Sequence, residues 1–272
     1  MKCDSLVTTG LKKGLWFGKG LPLEQIFLDT PHSKDLILKI TMIGHSTVLI
    51  EMSGLRILTD PYFGLRGNLA YSRPKPPSCK REDITDVDLI LVSHNHFDHT
   101  DRAYFRALPT TTPILAPSKT SWVTKLKGGQ NVSGISPWQQ HQLRDITITA
   151  VPAWHSTITH GFILQSQDST LYFAADTYYG KFMRRIGQDF KPDVALMPVT
   201  TYRIPLTMSE SSAVAAARDL SAQVIIPIHL GIRPRSPLLR TAQTPAKFAE
   251  RLRQAGITSN VTQLNEGESW SA

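Results

Sequence analysis

Short apolar runs separated by turn residues dominate the chain, and their periods predict mainly strands. Ile37–Ile43, Thr47–Glu51 and Arg56–Thr59 read as successive antiparallel strands, with Ser53-Gly54 as the turn before the third. Runs of the same kind recur at Asp88–Ser93, Pro113–Ala116, Ile146–Val151, Gly161–Gln165, Thr170–Ala174, Val194–Met197 and Val224–Ile228. Helical signals are fewer: Asp101–Leu108 behind Thr100 as N-cap, and Ser211–Leu220 capped by Ser209 or Thr207. A third, Ala246–Gln254, follows Thr244-Pro245 and stops near Gly256. Between Gly64 and Lys80, Pro74, Pro76 and Pro77 exclude a helix or central strand and predict a long surface loop. Strands interspersed with helices through both halves, without a linker, predict one layered α+β domain over 36–272. Residues 1–35 are expected to pack on it as an N-terminal extension.

Composition narrows this picture by exclusion. Apolar residues make up 41% and charged residues 19%, ordinary usage for a chain that forms a core. No stretch approaches the roughly 18 apolar residues of a membrane-spanning helix. The first twenty residues lack the continuous apolar region of a secretory signal. Cys3 and Cys79 are the only cysteines, so neither a disulfide framework nor a thiolate metal site is expected, and a cytoplasmic location is the default. Thirty Lys plus Arg against 22 Asp plus Glu give +8, which attracts phosphates, nucleic acid or anionic headgroups, or simply maintains solubility.

The chemistry lies at strand ends. His94-Asn95-His96-Phe97-Asp98-His99 packs three imidazoles and a carboxylate behind a buried-strand pattern. Three further apolar runs each end at one such residue, His155, Asp176 and His229. Imidazole and carboxylate are ordinary ligands for zinc and also suit manganese, iron or cobalt. Seven ligands exceed what one tetrahedral ion with an open position needs, and they suit two divalent ions sharing a carboxylate and a water.

The His-x-His-x-Asp-His run, followed by a later His, Asp and His, resembles the metallo-β-lactamase superfamily from about Thr41 onward. Gly44-His45-Ser46-Thr47-Val48-Leu49-Ile50-Glu51, Leu58-Thr59-Asp60-Pro61, Ala174-Ala175-Asp176-Thr177 and Pro227-Ile228-His229 are similar to one branch of it. That branch holds N-acyl-phosphatidylethanolamine phospholipase D and the ascorbate-phosphate lactonases. The resemblance implies a four-layer αββα sandwich. It also implies His94, His96 and His155 on a first ion, Asp98, His99 and His229 on a second, and Asp176 bridging. Asp98 would also orient the hydroxide between the ions. The N-terminal 35 residues carry little of this resemblance.

Other residues are candidates by position. His45 is either a catalytic or pocket group or a structural histidine. Asp60 either fixes a ligand imidazole or forms a turn. Tyr178, Tyr202 and Arg203 follow strand ends and are candidate substrate contacts, and Arg233, with Arg235 beside it, is a candidate phosphate clamp. Trp16 and Phe17 among lysines suggest peripheral membrane contact, although Gly14, Gly18 and Gly20 oppose a stable helix there. The expected activity is hydrolysis by a hydroxide held between two ions, zinc first, manganese or iron as alternatives. A phosphodiester in a small anionic metabolite or lipid is the first substrate, and a lactone or other ester is the second. A nuclease or a single-iron redox enzyme is the remaining alternative. No basic–aromatic tract supports nucleic acid as a partner, and homo-oligomerisation stays open.

Overall fold

The computed structural model describes residues 38–272. The expected extension 1–35, with Trp16 and Phe17, lies outside the described residues, as does Ile37.

Two seven-stranded mixed sheets form the body. In the first, β1 (Leu38–Gly44), β2 (Thr47–Met52) and β3 (Leu55–Thr59) run antiparallel as the alternating sequence predicts. Beyond β3, the strands β5 (Leu89–Leu91), β6 (Pro113–Pro117) and β7 (Asn131–Ile135) add in parallel, and β16 (Ser269–Ser271) pairs with β1 at the other edge. In the second sheet β8 (Gln140–Leu143), β9 (Ile146–Pro152), β10 (His160–Gln165) and β11 (Thr170–Phe173) are antiparallel neighbours. Parallel pairing then continues through β12 (Val194–Pro198), β13 (Val224–Ile228) and β15 (Asn260–Val261). A small ribbon joins β4 (Tyr71–Ser72) to β14 (Arg233–Pro234).

Alternation along each strand sorts side chains into layers. Val48, Ile50, Leu89 and Leu91 from the first sheet meet Ile148, Phe162, Phe173 and Leu196 from the second in one buried core between the sheets. The intervening residues face outward. Leu49, Leu58 and Ile90 pack under Tyr104 and Phe105 of α1 (Arg102–Ala107). Ile163, Tyr172 and Ala195 pack under α3 (Phe182–Phe190), α4 (Glu210–Leu220) and α5 (Pro245–Gln254). A short helix, α2 (Ser121–Leu126), lies beside β6 and β7. The result is the expected αββα sandwich. None of the described helices is long and apolar enough to cross a membrane.

Details differ from expectation for local reasons. Asp101, not Thr100, caps α1, because its carboxylate accepts from Ala103 and Tyr104 N–H while Thr100 Oγ1 donates to His96 O. Ser209 caps α4 by accepting from Ser212 N–H. The α3 helix carries Gly187, where a Cβ would lie 2.1 Å from Asp219 O, so a weak helix former is what lets α3 approach α4. Within the proline-rich loop, Arg73 is buried and donates to Tyr62 O and Gly64 O.

Candidate metal centre

The polar cluster forms where strands of both sheets end on one edge. Asp60 follows β3, His94 to His99 follow β5, His155 follows β9, Asp176 follows β11 and His229 follows β13. At several of these ends the backbone turns through the left-handed region at a non-glycine residue: φ is 64° at His45, 35° at Asp60, 56° at Ala175 and 63° at His229. That conformation is costly for ordinary side chains, and it re-aims the chain sharply at each exit.

Two ligand groups result. His94 Nε2 lies 3.1 Å from His96 Nδ1, and His155 Nε2 lies 3.3 Å from the same atom. These three residues can present ligand atoms within 4.8 Å of one another, and so can Asp98, His99, His229 and His45. Asp176 stands between the groups: its Oδ2 is 3.8 Å from His155 Nε2, 3.3 Å from His99 Nε2 and 3.0 Å from His229 Nε2. All seven predicted ligand residues are thus brought to one focus.

Hydrogen-bond accounting assigns the tautomers. Buried Asp60 accepts from Ser93 N–H at 2.7 Å and from Ser93 Oγ at 2.6 Å. With its proton so committed, Ser93 Oγ accepts from His94 Nδ1 at 2.9 Å. His99 Nδ1 donates to Asp60 Oδ2 at 2.7 Å, and His155 Nδ1 donates to Leu206 O at 2.9 Å. His94 and His155 therefore aim Nε2 lone pairs inward, His99 turns its Nε2 inward as well, and Asp60 is an orienting group rather than a turn former. His45 is the reverse. Its Nδ1 accepts from Gly231 N–H at 3.2 Å, leaving Nε2–H to donate to Asp98 Oδ2 at 3.3 Å. His45 thus acts on a carboxylate and has no inward lone pair to offer a cation.

Charge demand within the cluster is high. Burial opposes ionisation of Asp176, but His229 and His99 outweigh it and hold the carboxyl well below its ordinary range. Asp98 is lowered likewise, against burial, by His99 and His45. Burial opposes a charge on His99, yet Asp176, Asp60 and Asp98 raise it well above its ordinary value. Burial, aided by His229, lowers His45 to about 3 against the pull of Asp98, and burial lowers His155 to about 4 against that of Asp176. His99 Nε2 and Asp176 Oδ1 are buried without a hydrogen-bond partner among the described residues. Inward lone pairs, ionised carboxylates and these two unpartnered atoms form a donor set that fits divalent cations.

The substrate candidates are more scattered. The Tyr178 ring lies 6.4 Å from His155, but its hydroxyl donates to Pro205 O. Tyr202 lies 6.5 Å from His229, with its hydroxyl donating to Ile232 O. Both therefore offer ring faces rather than free hydroxyls. Arg203 and Arg233 side chains are exposed on the rim, outside the cluster. Arg235 is tied to the backbone at Asn68 and Arg66. Sequence reasoning missed an aromatic wall in which Tyr62 contacts Phe97 at 6.0 Å, Phe97 contacts Tyr71 at 6.3 Å and Tyr71 contacts Tyr202 at 5.9 Å. Phe97, a partly exposed apolar residue inside the ligand run, was the available signal. Lys127 was missed too, lying as it does outside any motif: its Nζ donates to Asn95 O at 2.7 Å and to Thr100 Oγ1.

Known proteins similar to this chain identify its family and fold. A family model described as a beta-lactamase superfamily domain matches residues 55–230. A UPF0173 metal-dependent hydrolase of Methanopyrus kandleri is 29% identical over 245 residues, covering 86% of this chain and 99% of the relative. One from Koribacter versatilis is 31% identical over 249 residues, covering 86% and 98%. Among solved structures, a metallo hydrolase from Ignicoccus hospitalis has the same fold, with a TM-score of 0.71 at 24% identity, over 86% of this chain and 98% of that one.

Proposed function

Since the chain belongs to the metallo-β-lactamase superfamily as a metal-dependent hydrolase of the UPF0173 family, we propose that it cleaves a phosphodiester with two divalent cations held in its cluster. The observation that carries this is the pair of converging ligand groups with Asp176 Oδ2 between them. His94, His96 and His155 would hold one cation, Asp98, His99 and His229 the other, and Asp176 both. The nitrogen-rich set favours zinc, with manganese or iron as alternatives. Bound there, the cations supply Lewis acidity, which polarises the scissile group and makes water nucleophilic near neutral pH.

The chain's own groups supply orientation. Asp60, Ser93 and Leu206 O fix the imidazole tautomers. Asp98, held on Oδ2 by His45, would orient the attacking water. Tyr71, Phe97 and Tyr202 offer a surface to the non-reacting part of the substrate. The phosphodiester preference is supported by the branch markers around His45 and Asp60 and by the +8 charge. A lactone or carboxylic ester is the second reading, favoured by a wall of ring faces beside the cluster and by the outward placement of Arg203 and Arg233.

Metal quantification on the purified protein, combined with a panel of phosphodiesters, lactones and nucleic acids, tests both. Two equivalents of zinc or manganese with phosphodiester cleavage are expected. Preferential lactone cleavage selects the second reading, and a single iron without hydrolysis overturns both.

A further inference from the structure

The rim beside the cluster has a composition that hydrolysis does not require. It is built from residues 61–80, 199–209 and 230–249, stitched together across the mouth. The β4 strand pairs with β14, Arg203 N–H donates to Leu239 O at 2.9 Å, and Arg235 Nε donates to Asn68 O at 2.8 Å. Tyr71 and Tyr202 link this rim to His229. These three stretches contain no Asp or Glu. They carry Arg66, Arg203, Arg233, Arg235 and Arg240, none of which is in an ion pair among the described residues. Among the arginines stand aliphatic tips: Leu69 is 99% exposed, Leu238 79%, Leu65 66% and Ile204 62%.

Unpaired arginines around bare leucines, in stretches that contribute no Asp or Glu and meet carboxylates away from those arginines, as at Lys75 and Thr244, suit few partners. A second copy docking isologously would set this rim against itself, arginine facing arginine, with no acid from these stretches to neutralise either. A nucleic acid strand would satisfy the arginines and stack on Tyr71 and Tyr202, but it leaves the exposed tips of Leu65, Leu69, Ile204 and Leu238 without a partner. An anionic lipid leaflet satisfies both: guanidinium groups meet headgroup phosphates while the aliphatic tips enter the acyl boundary. We infer that this rim docks on an anionic lipid surface, seating the mouth of the metal centre against it. The inference is independent of which bond is cleaved.

The test is co-sedimentation of the full chain with vesicles of phosphatidylcholine alone and of phosphatidylcholine mixed with phosphatidylserine. Binding is expected on the mixed vesicles and not on the neutral ones. Leu69→Ala combined with Leu238→Ala should weaken partitioning at least about tenfold, and Arg66→Gln about fivefold. These side chains are exposed, so the unfolding midpoint and metal content should be unchanged. Equal binding to both vesicle types, or binding that ignores loss of the leucines, overturns the inference. So does a duplex oligonucleotide that binds in place of vesicles with the same affinity in the leucine variant. A dimer in sedimentation velocity that the leucine substitutions abolish overturns it as well, assigning the rim to a second copy.

Discussion

His45 and the ligand imidazoles carry the same side chain and differ in where one proton sits. Asp60, Ser93 and Leu206 O draw the Nδ1 protons of His99, His94 and His155 outward, whereas Gly231 N–H forces the proton of His45 onto Nε2, toward Asp98. This separates two kinds of loss. Asp176→Ala removes the carboxylate between both groups, so turnover should vanish and metal content should fall together. Full activity in that variant would exclude a shared carboxylate. His45→Ala leaves every inward lone pair in place and frees only one oxygen of Asp98, so metal content should hold while kcat falls roughly 10- to 100-fold. Metal analysis alongside steady-state kinetics distinguishes the two. The candidate ligand residues were legible in the sequence because four apolar runs lead into them, one into the whole of 94–99 and the others into His155, Asp176 and His229. The role of His45 was not, since its tautomer depends on a backbone N–H contributed from residue 231.

Elements hold these residues in place by bracing the loops between them. The 94–100 loop is tied to α2 and its flanks: Asn95 Nδ2 donates to Thr120 O, Thr124 Oγ1 donates to Asn95 Oδ1, and Lys127 Nζ donates to Asn95 O. Lys127→Met keeps the stem but removes the donor. It should lower stability by about 1–2 kcal/mol and release metal faster to a chelator, with little change in the isolated α2 packing. Unchanged chelation kinetics would show that the brace does not bear on the centre. The 229–231 loop presses equally closely on His45, where a Cβ at residue 231 would meet His45 Cβ at 2.8 Å. The same Cβ would meet His45 N at 2.8 Å and Cα at 2.9 Å, and His45 O accepts from His229 N–H. Gly231→Ala should therefore displace His229 and lower metal content as well as kcat, unlike His45→Ala. Unchanged metal content would show that the loop absorbs the methyl group. The long central strands were legible from alternation. The edge strands β7, β8, β15 and β16 were not, because an edge strand is polar or exposed along much of its length and shows no apolar run. Nor was α2, too short and too exposed to show a helical period.

At the scale of the molecule, both sheets deliver their strand ends to one edge, so the His/Asp cluster inherits the stability of the sandwich. His160, at the start of β10, lies in that foundation: its backbone N–H donates to Ser93 O, directly behind His94, and its Nδ1 is buried without a partner among the described residues. Burial lowers its pKa from 6.5 to about 4, against a small opposing contribution from the Ile135 backbone. Between those two values the unfolded chain takes up a proton that the native chain refuses, so stability rises with pH across this window and falls as pH drops from 6.5 toward 4. The contribution is complete above 6.5 and exhausted below about 4. His45 and His155 act in the same direction and His99 in the opposite one, so the absolute slope mixes several groups. The difference between two proteins isolates one. His160→Gln, which cannot titrate, should show a shallower fall in the urea midpoint between pH 6.5 and 4 than the parent chain. Parallel slopes would mean that His160 is already solvated in the native state and that the edge behind His94 is open to water.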